Sequence, residues 1–135
     1  MSRKGIDTSI DQAALAKALK AFAEAIGAAN VFTSEEDQIA YSDHYSVDEK
    51  RHEPSAGVAP STVEEVQAIV KIANQYGIPL WPVSRGKNFG YGGPSPNVTG
   101  SIVVDLKRMN EVLELNEERA FALVEPGVSY FDLYR

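Results

Sequence analysis

A glycine-rich stretch decides the fold: Pro82-Val83-Ser84-Arg85-Gly86-Lys87-Asn88-Phe89-Gly90-Tyr91-Gly92-Gly93-Pro94. Four glycines among the eight residues 86–93 allow the backbone to turn its N–H groups inward, and a concave run of amides binds anions. The basic side chains of Arg85 and Lys87 add positive charge beside those amides. The stretch therefore predicts a phosphate-binding loop and, with it, a nucleotide or dinucleotide cofactor.

The loop lacks the two best-known nucleotide-binding signatures. A Rossmann fingerprint needs G-x-G-x-x-G at the start of a helix, and a P-loop ends in Gly-Lys followed by Ser or Thr. Here Asn88 follows the Gly-Lys pair, and Pro94 and Pro96 exclude a helix directly afterwards. We expect loop amides alone to hold the phosphate. A plain glycine-rich turn is the alternative, but the strand-like runs at 78–83 and 101–106 favour an ordered, functional loop.

The hydrophobic pattern predicts helices and short strands on both sides of the loop. One helix is expected after a capping box formed by Ser9 and Gln12, and a second after Ser61 or Thr62, each ended by a glycine. A further helix begins near Ser129. Short strands are expected at residues 31–33, 56–59, 78–83, 101–105, 112–116 and 120–125. A β-α-β unit therefore leads into the glycine-rich loop, and the last two strands form a hairpin.

Three motifs, taken in order, resemble a known family of flavoproteins. The motifs are Ile78-Pro79-Leu80-Trp81-Pro82-Val83-Ser84, Gly86-Lys87-Asn88-Phe89-Gly90-Tyr91-Gly92-Gly93 and Val124-Glu125-Pro126-Gly127-Val128. They resemble the PCMH-type FAD-binding domain of the vanillyl-alcohol oxidase and 4-cresol methylhydroxylase flavoenzymes, and the similarity runs from about residue 41 to the last residue. Phe89 makes the chain look nearest the cresol and eugenol hydroxylase branch.

The resemblance implies that FAD is the cofactor and that its pyrophosphate lies against the glycine-rich loop. It implies an α+β fold with a mixed sheet. It also implies an N-terminal helical segment, residues 1–40, followed by the N-terminal part of the FAD-binding domain, residues 41–135. Arg85 departs from the Thr or Ile expected at its position. For Glu125, the residues alone favour a structural carboxylate that accepts backbone N–H groups over a catalytic one. The implied cofactor-binding residues are Ser84, Arg85, Gly86, Lys87, Asn88, Phe89, Gly90, Gly92, Gly93, Glu125, Pro126 and Gly127.

The resemblance also implies an FAD-dependent oxidoreductase of the 4-cresol dehydrogenase (hydroxylating) or vanillyl-alcohol oxidase type. Such enzymes oxidise or hydroxylate para-substituted phenols by hydride transfer from the benzylic carbon to flavin. Tyr91 matches the catalytic tyrosine that hydrogen-bonds the phenolate oxygen, whereas the residues alone favour simple packing over the loop. Oxygen or a cytochrome c would take the electrons. Two other functions stay open: FAD-dependent oxidation of hydroxy acids or sugars, and a non-catalytic nucleotide-binding module.

Length sets a further expectation. Members of the resembled family need more than 135 residues, so we expect the front part of a larger, homo-oligomeric enzyme, inactive without its C-terminal part. Val58, Leu80 and Val103 are then expected on sheet faces whose covering elements are absent.

Composition excludes several other classes of protein. The 19 acidic and 13 basic residues leave a formal net charge of −6, which argues against nucleic acid and anionic membranes as partners. No cysteine is present, and the two histidines, His44 and His52, lack partners at ligand spacing, so no metal site is expected and both are predicted to lie at the surface. No apolar signal segment precedes the first helix, which indicates a cytoplasmic protein, with periplasmic export left open.

Overall fold

A computed structural model describes residues 10–42, 52–86 and 93–135 of the chain. The predicted α+β class with a mixed sheet is confirmed in these residues. The helices are α1 (Gln12–Ile26), α2 (Glu35–Ala40), α3 (Val63–Tyr76) and α4 (Tyr130–Tyr134), with single 3-10 turns at Ala28–Asn30 and Leu106–Arg108. The strands are β1 (Val31–Phe32), β2 (Ala56–Val58), β3 (Leu80–Val83), β4 (Ile102–Asp105), β5 (Val112–Asn116) and β6 (Phe121–Val124).

Local capping sets where the two long helices begin. Asp11 caps α1, and its side chain accepts a hydrogen bond from the backbone N–H of Ala13 at 2.9 Å. The predicted capping box of Ser9 and Gln12 is therefore wrong, because the helix begins two residues later than that box requires. The side chain of Thr62 caps α3 as predicted, and Gly77 ends it with a left-handed φ of 66°.

The larger sheet has the strand order β1-β2-β4-β3. β1 runs antiparallel to β2, whereas β2, β4 and β3 are mutually parallel, so the sheet is mixed as predicted. The predicted β-α-β unit joins β2 to β3 through α3, but the two strands are not neighbours. β4, which follows the glycine-rich loop in the chain, lies between them.

Helices cover one face of this sheet, and an aromatic ring covers part of the other. On one face, α1 and α3 pack with the strands into a core formed by Leu15, Ala18, Phe22, Ile26, Ala56, Val58, Ile69, Ala73, Ile78, Ile102 and Val104. On the other face the ring of Tyr41 lies against Gly57, where an added Cβ would have no room. Val58 and Val103 are fully buried, so the expectation that their faces lack a cover is wrong; Leu80, on the edge strand β3, is half-buried.

The predicted N-terminal segment shares this core through α1, and its boundary at residue 40 stays a prediction. The described residues contain no helix that is both long and apolar enough to cross a membrane.

The second sheet is the predicted hairpin, β5 paired antiparallel with β6. A β-bulge between Val112 and Glu114 shifts the register. Apolar side chains project from both faces of the hairpin, because apolar residues follow one another directly in both strands. Leu115 is 68% exposed, and Phe131 in the adjoining α4 is 81% exposed. The apolar exposure that the sequence predicts is therefore real, but it lies in the hairpin and α4 and not on the larger sheet.

Candidate functional site

The glycine-rich loop leaves the larger sheet at the carboxyl edge of its parallel strands. β3 ends at Val83, beside Asp105 at the end of β4, and the chain continues into Ser84. In α/β sheets ligands bind outside the carboxyl ends of the strands. The two described ends of the loop meet, because a Cβ on Gly86 would lie 2.9 Å from the Cβ of Pro94. The loop is therefore closed at its base, and the φ of +65° at Gly86 suits glycine.

A cavity of about 200 Å³ lies beside this base. Pockets that enclose whole small molecules measure roughly 300–1,000 Å³. The described residues therefore form room for only part of a ligand. The lining residues are Trp81, Pro82, Val83, Ser84, Gly86 and Gly93.

Arg85 points its guanidinium at another of the three sequence motifs. Its Nη1 donates to the carbonyl oxygen of Gly127 at 3.0 Å and to Oδ2 of Asp132 at 2.9 Å. The sequence predicts this charge beside a phosphate, but the structure pairs it with a carboxylate. Hydrogen bonds from Ser129, and more weakly the charge of Arg85, lower the pKa of the Asp132 carboxyl.

Gly127 is held by backbone and leaves no room for a side chain. Its N–H donates to the carbonyl oxygen of Met109 at 2.7 Å. A Cβ there would lie 2.6 Å from the carbonyl oxygens of Leu106 and Met109. The structural role predicted for Glu125 is confirmed, because its Oε2 accepts the backbone N–H of Glu111 at 2.9 Å.

Sequence reasoning missed a polar cluster around the buried Asp105, under this turn. Oδ2 of Asp105 accepts the hydroxyl of Tyr41 and the ammonium of Lys107, each at 2.9 Å. Oδ1 of Asp105 accepts the backbone N–H of Lys107 and so caps the 3-10 turn whose carbonyls contact Gly127. Burial, and then the charge of Asp105, raise the pKa of Tyr41. One signal in the sequence could have indicated this cluster: Asp105 ends a run of apolar strand residues, where a carboxylate needs polar partners.

A family model described as an FAD binding domain matches residues 54–135. The chain belongs to this family. FAD is therefore its cofactor, and the predicted membership of a flavoprotein family is confirmed.

Individual relatives are similar to nearly the whole of this FAD-binding domain. It is 39% identical over 126 residues to the 4-cresol dehydrogenase (hydroxylating) flavoprotein subunit of Pseudomonas putida, covering 93% of this chain and 24% of the relative. It is 44% identical over 115 residues to 1'-carboxy-chondrochloren decarboxylase of Chondromyces crocatus, covering 85% and 21%. The structure of 4-ethylphenol oxidase from Gulosibacter chungangensis, in its isoeugenol complex, superposes with a TM-score of 0.89 at 44% identity, covering 94% and 25%. The chain thus spans a quarter or less of the length of these relatives.

The base of the loop fits a phosphate-bearing part of FAD. Apart from its neighbours in the chain, no described residue has a heavy atom within 4 Å of a Cβ added to Gly93, so the described residues leave the backbone there open to a ligand. Ser84 offers a hydroxyl at the same cavity, and Gly86 turns the chain around it. The small volume matches one section of the cofactor better than its whole length. The cofactor-binding roles of Ser84, Arg85, Gly86, Gly93, Glu125, Pro126 and Gly127 stay predictions.

The remaining predicted residues of the FAD-binding domain lie outside the described part of the chain. These are Lys87, Asn88, Phe89, Gly90, Tyr91 and Gly92, together with His44. His52 is described, and the prediction that it lies at the surface is wrong. It is half-buried, and its Nδ1 lies 2.9 Å from the carbonyl oxygen of Pro96, to which it donates. No group of three or more potential metal ligands occurs among residues 10–42, 52–86 and 93–135.

Proposed function

We propose that the polypeptide carrying this FAD-binding domain is an oxidoreductase that oxidises or hydroxylates para-substituted phenols. The observation that carries the proposal is the similarity, over more than 90% of the chain, to a 4-cresol dehydrogenase subunit and to a 4-ethylphenol oxidase. Both proteins are named for para-alkylphenols. FAD, when bound, supplies an acceptor for the hydride that leaves the benzylic carbon.

In this proposal the residues of the chain divide into two groups. The backbone of the loop, residues 84–93, holds the pyrophosphate of FAD, and the closed base at Gly86 and Pro94 keeps the loop in place. Tyr91 donates a hydrogen bond to the phenolate oxygen. A preorganised donor to such an oxygen typically contributes about 2–4 kcal/mol. The phenolate is thereby favoured over the phenol, and electron density moves toward the carbon that loses hydride.

The proposal extends to the electron acceptor of the complete enzyme. The Pseudomonas putida relative is a flavoprotein subunit by name, which favours a second subunit as electron acceptor over oxygen. A cytochrome c would fill that role. Homo-oligomerisation of the complete enzyme and a cytoplasmic location remain predictions.

Replacing Tyr91 with phenylalanine tests the phenol chemistry. Tyr91→Phe removes only the hydroxyl, so we expect unchanged FAD content and at least a tenfold slower reduction of flavin by 4-ethylphenol. Stopped-flow absorbance under anaerobic conditions measures that rate. Tyr134→Phe is the matched control, because Tyr134 is 90% exposed and distant in sequence from the loop. A rate for Tyr91→Phe equal to that of the control would return Tyr91 to a packing role.

Gly93→Val tests the pyrophosphate site independently of the chemistry. The described residues leave space for the added side chain, so the fold should persist while the ligand loses access to the backbone. We expect FAD occupancy to fall at least tenfold, measured as the ratio of flavin to protein absorbance. The control is Gly77→Ala, which alters a left-handed glycine at the end of α3, away from the loop. Full FAD occupancy in Gly93→Val would exclude this cradle.

A second function is favoured by the relative from Chondromyces crocatus, which is a decarboxylase by name. The substrate would then be a para-substituted phenol that carries a carboxyl group, and this carboxyl group would leave as carbon dioxide. The candidate functions are separated by adding one compound at a time and measuring both flavin reduction and carbon dioxide. The compounds are 4-ethylphenol, 4-hydroxyphenylacetate, a 2-hydroxy acid and an aldose. Flavin reduction by the hydroxy acid or the aldose alone would favour an FAD-dependent oxidase of hydroxy acids or sugars. No flavin reduction and no carbon dioxide with any of the four compounds would favour the non-catalytic nucleotide-binding module.

A further inference from the structure

We propose that Arg85 is a positioning residue that fastens the start of the glycine-rich loop to the turn at Gly127, and is not a ligand of phosphate. The proposal rests on the proposed role of residues 84–93 as the FAD pyrophosphate site. It assigns the one charged side chain at the described base of the loop to a structural task. The sequence alone predicts instead that Arg85 supplies positive charge beside the phosphate.

The hydrogen bonds of Arg85 cross a long stretch of chain. Nη1 donates to Gly127 O, 42 residues away, and to Asp132 Oδ2, 47 residues away. These two acceptors lie on either side of the start of α4. Arg85 is not among the residues that line the cavity beside the loop, although its neighbours Ser84 and Gly86 are. The guanidinium therefore binds the turn at Gly127 and the start of α4, while the residues on either side of Arg85 line the cavity.

Both acceptors are fixed without help from Arg85. The N–H of Gly127 donates to Met109 O, and the three carbonyls around Gly127 allow it little movement. Asp132 Oδ2 also accepts the N–H of Ser129 at 2.8 Å and its hydroxyl at 2.6 Å, in a capping box. A side chain that binds two prearranged acceptors is itself restrained, and the restraint passes to Gly86, the next residue and the first glycine of the loop.

The same arrangement removes Arg85 from the charge available to phosphate. Asp132 lies 2.9 Å from the guanidinium, and the two side chains are 42% and 40% exposed. A phosphate that approached Arg85 would meet the carboxylate as well. The pair is open to water, so its strength is modest and falls with added salt. Its effect should therefore be a change in loop order of a few-fold, and not the loss of the fold.

Hydrogen exchange in the FAD-free polypeptide that carries this domain is the direct test. The variants are Arg85→Ala, Asp132→Asn and the double variant. We expect Arg85→Ala to raise amide exchange at residues 84–86 by about two- to fivefold, and Asp132→Asn to raise it less, because the hydrogen bond from Arg85 to Gly127 O remains. The double variant should match Arg85→Ala, since no partner of Asp132 is left to lose. Tyr134→Phe is the control, because it changes an exposed side chain of α4 and leaves Arg85, Asp132 and the capping box intact. Exchange at 84–86 that is unchanged in both single variants would overturn the proposal.

FAD affinity separates the two roles of Arg85 by sign. A positioning role predicts that both variants weaken FAD binding, Arg85→Ala by about two- to fivefold and Asp132→Asn by less, because the hydrogen bond to Gly127 O remains; titration measures both. A phosphate ligand predicts that Arg85→Ala weakens binding, while Asp132→Asn, which frees the guanidinium, leaves it unchanged or stronger; that pattern would overturn the proposal. The exchange measurement needs no FAD, so failure of the loop as a pyrophosphate site, reported by Gly93→Val, is distinguished from failure of the Arg85 inference.

Discussion

The four-stranded sheet and the β5–β6 hairpin with α4 obtain their stability in different ways. Phe22, Val58 and Ile102 in the sheet region are 0% exposed and pack on the two long helices. Leu115 and Phe131 in the hairpin region are mostly exposed. The hairpin is held by its strand pairing and by the backbone contacts of Gly127. Side-chain burial therefore specifies the first region, whereas backbone hydrogen bonds specify the second.

The largest expected effect compares one apolar truncation in each region. Phe22→Ala should lower the free energy of unfolding by about 3–5 kcal/mol, because it leaves a cavity between α1 and the sheet. Leu115→Ala should change it by less than about 0.5 kcal/mol, because the side chain is 68% exposed. Urea unfolding followed by circular dichroism measures both. Equal losses at the two positions would show that the hairpin has a core of its own.

Gly127→Ala should sharpen the comparison from the backbone side. The added methyl group would lie 2.6 Å from two carbonyl oxygens, so the hairpin must shift away from the 3-10 turn at Leu106–Arg108. We expect a loss of about 1–3 kcal/mol in the free energy of unfolding, as for overpacking in a core. Gly93→Ala is the control, because its Cβ meets no described heavy atom. Equal stability of Gly127→Ala and Gly93→Ala would contradict backbone packing as the link between the regions.

The smallest expected effect concerns the Tyr41–Asp105 hydrogen bond at high pH. Burial and the charge of Asp105 raise the pKa of Tyr41 in the folded state above the unfolded value of about 10. The corresponding stability is therefore present below about pH 10 and is lost as the pH rises toward the folded pKa. The free energy of unfolding should fall with pH by less than about 1.4 kcal/mol per unit, because Tyr41 is only partly buried.

Tyr41→Phe removes that titration, so the wild-type advantage over the variant should shrink between about pH 9 and about pH 11. Unfolding of both proteins by urea across this range measures the difference. A wild-type advantage that is constant with pH would mean that Tyr41 ionises equally easily in the folded and unfolded states.

Local signals in the sequence were read correctly where they act over a few residues. The cap at Thr62, the glycine end of α3 at Gly77 and the start of α4 at Ser129 each depend on neighbours within one helical turn. Ser9 was a wrong cap because Asp11, two residues later, is an equally good acceptor and lies next to the helix. Short-range patterns of this kind identify an element well and its first residue less well.

Contacts between distant residues could not be predicted from the same patterns. Tyr41 and Asp105 are 64 residues apart, and Arg85 and Asp132 are 47 residues apart. Neither pair has a spacing that marks it, because the topology of the sheet brings the partners together. The cover over Val103 was missed for the same reason: the ring of Tyr41 reaches Gly57, its neighbour on β2, from a separate segment.

The place of β4 in the sheet has a consequence for the order in which the molecule folds. β2 and β3 are not neighbours, so a growing chain that has just emerged through Val83 holds no complete parallel pair. The central strand arrives only after the glycine-rich loop has been made. The antiparallel pair of β1 and β2 can form earlier, but the two parallel pairings with β4 must wait for that loop to close and carry the entropic cost of the closure. The segment that we propose grips the cofactor would thus also govern the folding rate.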